Sequence, residues 1–201
     1  MPDALLLIDI QDGFRLPEYL SFWGPARNNP ALEQNLSSLL SSYRSLVASS
    51  PAQHKAIHVI HSSAYSPLKP DGPGFAIQSI VTPLPSEPVM VKYVNSAFIG
   101  TQLETVLREH FAGKAGKLYI VGLTTDHCVS TSTRMAANLK ICDGDDGEGE
   151  VVLIEDGTAT FGKGEFSAEL VHAVHIESLR GEFARISSTE EVLKAWKGLN
   201  A

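Results

Sequence analysis

Short, near-continuously apolar runs punctuate the chain. They are ALLLIDI (4–10), KAIHVIHS (55–62), PVMVKY (88–93), KLYIVGL (117–123) and EVVLIED (150–156), with a weaker sixth, FARIS, at 183–187. Apolar residues at successive rather than alternate positions predict strands buried on both faces of a parallel sheet. Between these runs the spacing changes to that of helices. Leu32, Leu36, Leu39, Leu40, Tyr43, Leu46 and Val47 follow the helical period, as do Leu103, Val106, Leu107 and Phe111, and Leu170, Val171, Val174 and Leu179. The tail STEEVLKAW opens on a capping box, with Ser188 placed to cap and Glu191 in the third position after it. Alternating strand and helix predicts an α/β fold with right-handed crossovers.

Two stretches break the alternation, QDGFRLPEYLSFWGPARNNP (11–30) and SAYSPLKPDGPGFAIQSIVTPLPSE (63–87). Irregular segments this long are usually functional or disordered. The aromatics they carry, Phe14, Trp23, Tyr65 and Phe75, favour a pocket wall. Each follows a strand end, which is where open α/β sheets bind ligands.

Composition narrows the classes without choosing among them. A chain of 201 residues, 43% apolar and 19% charged, predicts one globular domain over 1–201. A net charge of −7 argues against nucleic acid as a partner, because phosphates attract basic surfaces. Two cysteines, Cys128 and Cys142, are too few for a disulfide framework. The N-terminal apolar run is about five residues long and lacks a basic flank, unlike a signal peptide. No stretch approaches the roughly 20 apolar residues of a membrane span. The expectation is a cytoplasmic protein with a small-molecule partner and no membrane partner; secretion without a signal peptide would leave no mark in the sequence.

Three polar residues sit where those strands end. Asp9 closes the first, Lys92 the third, and Cys128 follows the fourth at the start of a helix. In a parallel sheet these ends share one edge. Each residue has an ordinary structural reading: a buried thiol as a small hydrophobe, an Asp as a turn residue, a Lys facing solvent. Together they have a chemical one. A helix N-terminus favours thiolate, a carboxylate can accept the thiol proton, and a lysine can hold both ionised. Backbone N–H groups at the strand-to-helix turn could form an oxyanion hole.

At this point the sequence resembles a known family, the isochorismatase-like cysteine hydrolases, which include nicotinamidases, N-carbamoylsarcosine amidase, ureidoacrylate amidases and isochorismatases. LLLIDIQDGF resembles the first-strand block, VKYVNSAFIGTQLETVL the lysine block, and IVGLTTDHCVSTSTRMA the nucleophile block. The resemblance implies a three-layer Rossmann-like fold, with a six-stranded parallel sheet in the order 3-2-1-4-5-6 flanked by helices. It implies a catalytic triad of Asp9, Lys92 and Cys128, a cis peptide between Leu123 and Thr124, and an oxyanion hole from the N–H groups of Thr124 and Cys128. It also implies a homo-oligomer, dimer or tetramer.

The resemblance has departures. Many nicotinamidases hold a divalent ion with an Asp and two or more His after the second strand. Here that region reads HVIHSSAYSPLKPDGPG, so the expectation is no metal and no cofactor. His58 and His61 are expected on opposite faces of a strand, with His61 lining the pocket. Candidate substrate-binding residues are Phe14, Trp23, Tyr65, Tyr93, Asn95 and Phe98, with Gln11 either touching substrate or bracing the site. GTATFGKG (157–164) nearly reads as a P-loop but has Gly164 where a hydroxyl is required. CDGDDGEGE (142–150) fails the calcium-loop pattern, which leaves a solvated loop, with Cys142 as a structural thiol. His172 and His175 lack acidic partners at ligand spacing. The reading that follows is cleavage of a small amide or carbamoyl C–N bond through a thioester. Two alternatives stand beside it: isochorismate hydrolysis with Asp9 as acid, and a non-catalytic binding module.

Overall fold

The computed structural model describes residues 1–199. Six parallel strands form one sheet: β1 (Asp3–Ile8), β2 (His54–His61), β3 (Val89–Lys92), β4 (Lys117–Leu123), β5 (Glu150–Ala159) and β6 (Arg185–Ser187). Their order is β3-β2-β1-β4-β5-β6, as the resemblance implied. The helices are α1 (Pro17–Trp23), α2 (Leu32–Ser49), α3 (Leu103–Phe111), α4 (Ser130–Asn138), α5 (Ala168–Leu179) and α6 (Thr189–Leu199).

The apolar runs became strands because both faces of the sheet are covered. On β1, Ala4, Leu6 and Ile8 face a core completed by Leu103, Leu107 and Phe111 of α3 and by Ile176 and Leu179 of α5. Leu5 and Leu7 face the opposite core, with Leu36, Leu39 and Tyr43 of α2 and Trp196 of α6. All six β1 residues are buried, so alternation had no polar face to mark. Cys142 lies buried in the first core, filling space as a small apolar residue. The capping box forms reciprocally: Glu191 N–H donates to Ser188 Oγ at 3.2 Å, and Ser188 N–H donates to Glu191 Oε2 at 3.0 Å.

Some boundaries differ from the sequence reading. The segment 11–30 contains α1, which starts with Pro17 at its first turn, a position proline suits. None of its residues is fully buried, so it shows no apolar period. β5 runs on to Ala159, so the first part of the P-loop near-miss is strand. The acidic stretch turns back on itself: Gly144 and Gly147 pair, and Asp143 Oδ1 accepts from Gly149 N–H at 3.1 Å.

One glycine sets the spacing at the functional edge. Gly122, near the end of β4, pairs with Ile8 of β1. Its φ is +127°, and a Cβ there would lie 1.9 Å from the Ile8 carbonyl oxygen. Only glycine lets the two strands meet so closely beside Asp9.

Candidate active site

Three strand ends bring the chemistry together. Asp9 is the residue after β1, at φ +53°, a left-handed conformation that Asp tolerates better than most side chains. Its N–H still donates to Val59 of β2 at 2.8 Å, which fixes its position. Lys92 is the last residue of β3. Cys128 lies in a tight turn of π-helix, Thr125–Val129, that leads from β4 into α4. At its entrance the Leu123–Thr124 peptide is cis, and the Thr124 carbonyl accepts from the N–H groups of His127 and Val129 at 3.1 and 3.2 Å.

Lys92 is the hub. Its side chain is 0% exposed, as is that of Asp9. Nζ lies 2.7 Å from Asp9 Oδ2, 3.1 Å from Cys128 Sγ, 3.0 Å from His61 Nδ1 and 3.2 Å from the Val94 carbonyl oxygen. His61 arrives there through register, since it is the direct partner of Lys92 across β2 and β3. Gln11 clamps the His61 backbone: its Oε1 accepts from His61 N–H at 2.8 Å and its Nε2 donates to His61 O at 3.1 Å. Nε2 also donates to Phe75 O at 2.9 Å, tying the segment after β2 to the site.

The electrostatics correct one expectation. Position at a helix start was expected to favour thiolate. Instead burial pushes the Cys128 thiol well above its ordinary value, the Asp9 charge adds to that, and Lys92 opposes it. Asp9 is itself raised by burial, against the pull of Lys92 and the Cys128 thiol. Burial therefore favours the neutral form of both groups, and the Lys92 ammonium opposes it at each. His61 is pushed down to about 4 by burial and then by the Lys92 charge, so its ring is neutral at pH 7.

A cavity of about 100 Å³ opens above Cys128. Of the residues expected at the site, Asp9, Phe14, Trp23, His61, Asn95, Thr124 and Cys128 line it. Phe14 and Trp23 stack with centroids 4.3 Å apart, and Trp23 Nε1 donates to Gly13 O at 2.7 Å. Gln11 is buried beneath and braces rather than lines it. Phe98 packs into the core. Tyr65 and Tyr93, 95% and 71% exposed, stand on the outer surface. Ser63, Ser66, Leu68 and His127 also line the cavity. His127 was legible beside Cys128 in TTDHC; the others depend on how 63–87 folds back. A wider groove of about 520 Å³ lies at the other end of the sheet, lined by Lys140, Cys142, Glu150 and Arg185 among others. It contains none of the converging groups.

Comparison with known proteins places this geometry. The isochorismatase domain model matches residues 3–191. The chain belongs to the isochorismatase family. A curated relative from Bacillus subtilis (strain 168), the uncharacterized isochorismatase family protein YrdC, is 35% identical, with 94% of each chain covered. An isochorismatase-family structure from Chromobacterium violaceum is 35% identical with a TM-score of 0.81, covering 98% of this chain and 94% of its own. The nicotinamidase PncA from Bacillus subtilis shares the fold at 18% identity and a TM-score of 0.68, covering 94% of this chain and 100% of its own. The protein is thus a hydrolase of the isochorismatase family.

A divalent ion does not suit this isochorismatase-family site. Asp9, His61 and Cys128 offer ligand atoms within 4.8 Å of one another. Lys92 Nζ already lies within 3.1 Å of an atom from each. An ammonium there supplies the positive charge and would repel a metal ion from the same space.

Proposed function

We propose that this hydrolase cleaves the C–N bond of a small amide or carbamoyl compound through a thioester on Cys128. The observation that carries the reading is the fully buried Lys92 ammonium, in contact with both the Asp9 carboxylate and the Cys128 sulfur on the cavity wall. A buried cation is costly without close partners, and these two are the groups that acyl transfer needs.

The geometry supports a sequence of proton movements. As Sγ attacks the carbonyl carbon, the thiol proton passes to Asp9. Lys92 stabilises the negative charge that remains in the cluster, and the N–H groups of Thr124 and Cys128 receive the developing oxyanion. Asp9 then donates its proton to the departing nitrogen, and ammonia or an amine leaves. Asp9 next takes a proton from water, the hydroxide attacks the thioester, and Sγ leaves and recovers a proton. A raised carboxyl pKa suits a group that both accepts and donates near neutral pH. The three groups interact closely enough that an observed pKa belongs to the cluster.

Paired substitutions test this. Cys128→Ala should abolish amide turnover while the circular dichroism spectrum stays unchanged; retained turnover overturns the mechanism. Asp9→Asn should be inactive on the same substrate. Isochorismate hydrolysis predicts a different pattern, with Asp9 essential and Cys128 dispensable. A binding module predicts no turnover for either substitution to remove.

A further inference from the structure

The cavity above Cys128 is small, and among the described residues no lysine or arginine lines it. At about 100 Å³ it falls below the roughly 300–1,000 Å³ of pockets for drug-sized ligands. Its lining combines the stacked rings of Phe14 and Trp23 with the neutral side chains of Ser63, Ser66 and Asn95.

Among the described residues, the basic side chains that brace the cavity or stand at its rim have partners; Lys69, three residues from Ser66, lines the neighbouring groove and not this cavity. Lys92 has three N–H donors, and four acceptors surround it: Asp9, Cys128, His61 and the Val94 carbonyl. His61 presents its Nδ1 lone pair to that ammonium and stays neutral. His127, at the rim, has Nε2 3.4 Å from Asp126 Oδ2. Lys163 reaches the same carboxylate at 3.5 Å. Behind Phe14, Arg15 pairs with Asp12 at 2.6 Å, and Arg27 holds Glu33 in a bidentate pair at 2.6 and 2.8 Å. A substrate carboxylate would lose its hydration, meet Asp9, and gain no countercharge.

We infer that the site accepts a small uncharged acyl group lying against Phe14 and Trp23 and rejects substrates that place a carboxylate in the cavity. This rests on the amide-hydrolase reading and narrows it to neutral amides or carbamoyl compounds of a few heavy atoms. Isochorismate, a dicarboxylate, falls outside the class.

The test uses two near-isosteric reagents that differ in charge, iodoacetamide and iodoacetate. Either one alkylates Cys128 by forming an S–C bond as the C–I bond breaks; iodide leaves and Asp9 takes the thiol proton. The rate at Cys128 is followed by peptide mass spectrometry on the folded protein. The iodoacetamide-to-iodoacetate ratio is then divided by the same ratio for the urea-unfolded chain, which removes intrinsic reactivity. The expected result is a normalised preference for iodoacetamide of about 100-fold or more. Asn95→Lys, which puts a cation at an exposed position on the wall, should reduce that preference at least about tenfold. A normalised ratio near one, or faster iodoacetate, overturns the selectivity and leaves the nucleophile standing. If neither reagent labels Cys128 until the chain is unfolded, the nucleophile reading itself fails, and this inference fails with it.

Discussion

Replacing Lys92 with Met keeps most of the side-chain volume and removes the charge at the hub. Asp9 is then a carboxylate with 0% exposure and no countercharge. Removing one partner of a buried pair costs about 3–5 kcal/mol when the other stays charged. Asp9 has an escape, which is to bind a proton. Its ordinary value is 3.8, so holding it neutral at pH 7 costs at most 3.2 units, or about 4 kcal/mol at 1.36 kcal/mol per unit. At pH 5 the same bound is about 1.6 kcal/mol. The sign follows from proton counts: the folded variant binds a proton at Asp9 that the unfolded chain releases above pH 3.8, so its stability falls as pH rises. The lost hydrogen bond to the Val94 carbonyl adds a pH-independent part of about 1–3 kcal/mol; the Lys92 charge also lowers His61, so parent and variant both carry His61→Gln to keep that histidine's titration out of the difference. Urea unfolding of parent and variant at pH 5 and pH 7 measures both parts. The double variant Asp9→Asn/Lys92→Met has no charge to neutralise and should be more stable at pH 7 than Lys92→Met alone, a non-additivity expected of contacting groups. An equal loss at both pH values, or a double variant no better than the single, would refute the claim that Lys92 keeps Asp9 ionised.

Two further substitutions probe the frame of the site. Gly122→Ala drives a Cβ to 1.9 Å from the Ile8 carbonyl at a positive φ; it should cost more than about 3 kcal/mol, and a midpoint shift in urea too small for that would show the strands can part. His61 has its folded pKa lowered from 6.5 to about 4, so its contribution to stability is intact above pH 6.5 and is lost as pH falls towards 4. The thermal midpoint should therefore fall between pH 7 and pH 5 by more in the parent than in His61→Gln, and identical pH dependence would exclude the histidine as the cause.

The linear sequence determined the architecture. Successive apolar residues in 4–10 and 117–123 demanded cover on both faces, and helical periods between them supplied it, so an α/β sheet followed. Because parallel strands end on a common edge, Asp9, Lys92 and Cys128 were legible as neighbours before any distance was known. Gln11 could be singled out, yet whether it would touch substrate or brace the site could not.

Tertiary structure decided what those groups experience. The β2–β3 register sets His61 beside Lys92, and no local pattern in HVIHSSAY encodes that partner. The fold of 63–87 brings Ser63, Ser66 and Leu68 to the cavity and turns Tyr65 out to solvent; an aromatic in a loop looks the same in sequence either way. The ionisation of Cys128 was misread for a related reason. A helix start is a local feature, whereas desolvation sums over every segment packed around the thiol and the Asp9 charge comes from more than a hundred residues away in sequence. Strand and helix follow from residues near in sequence, while burial and charge at a site sum over everything near in space.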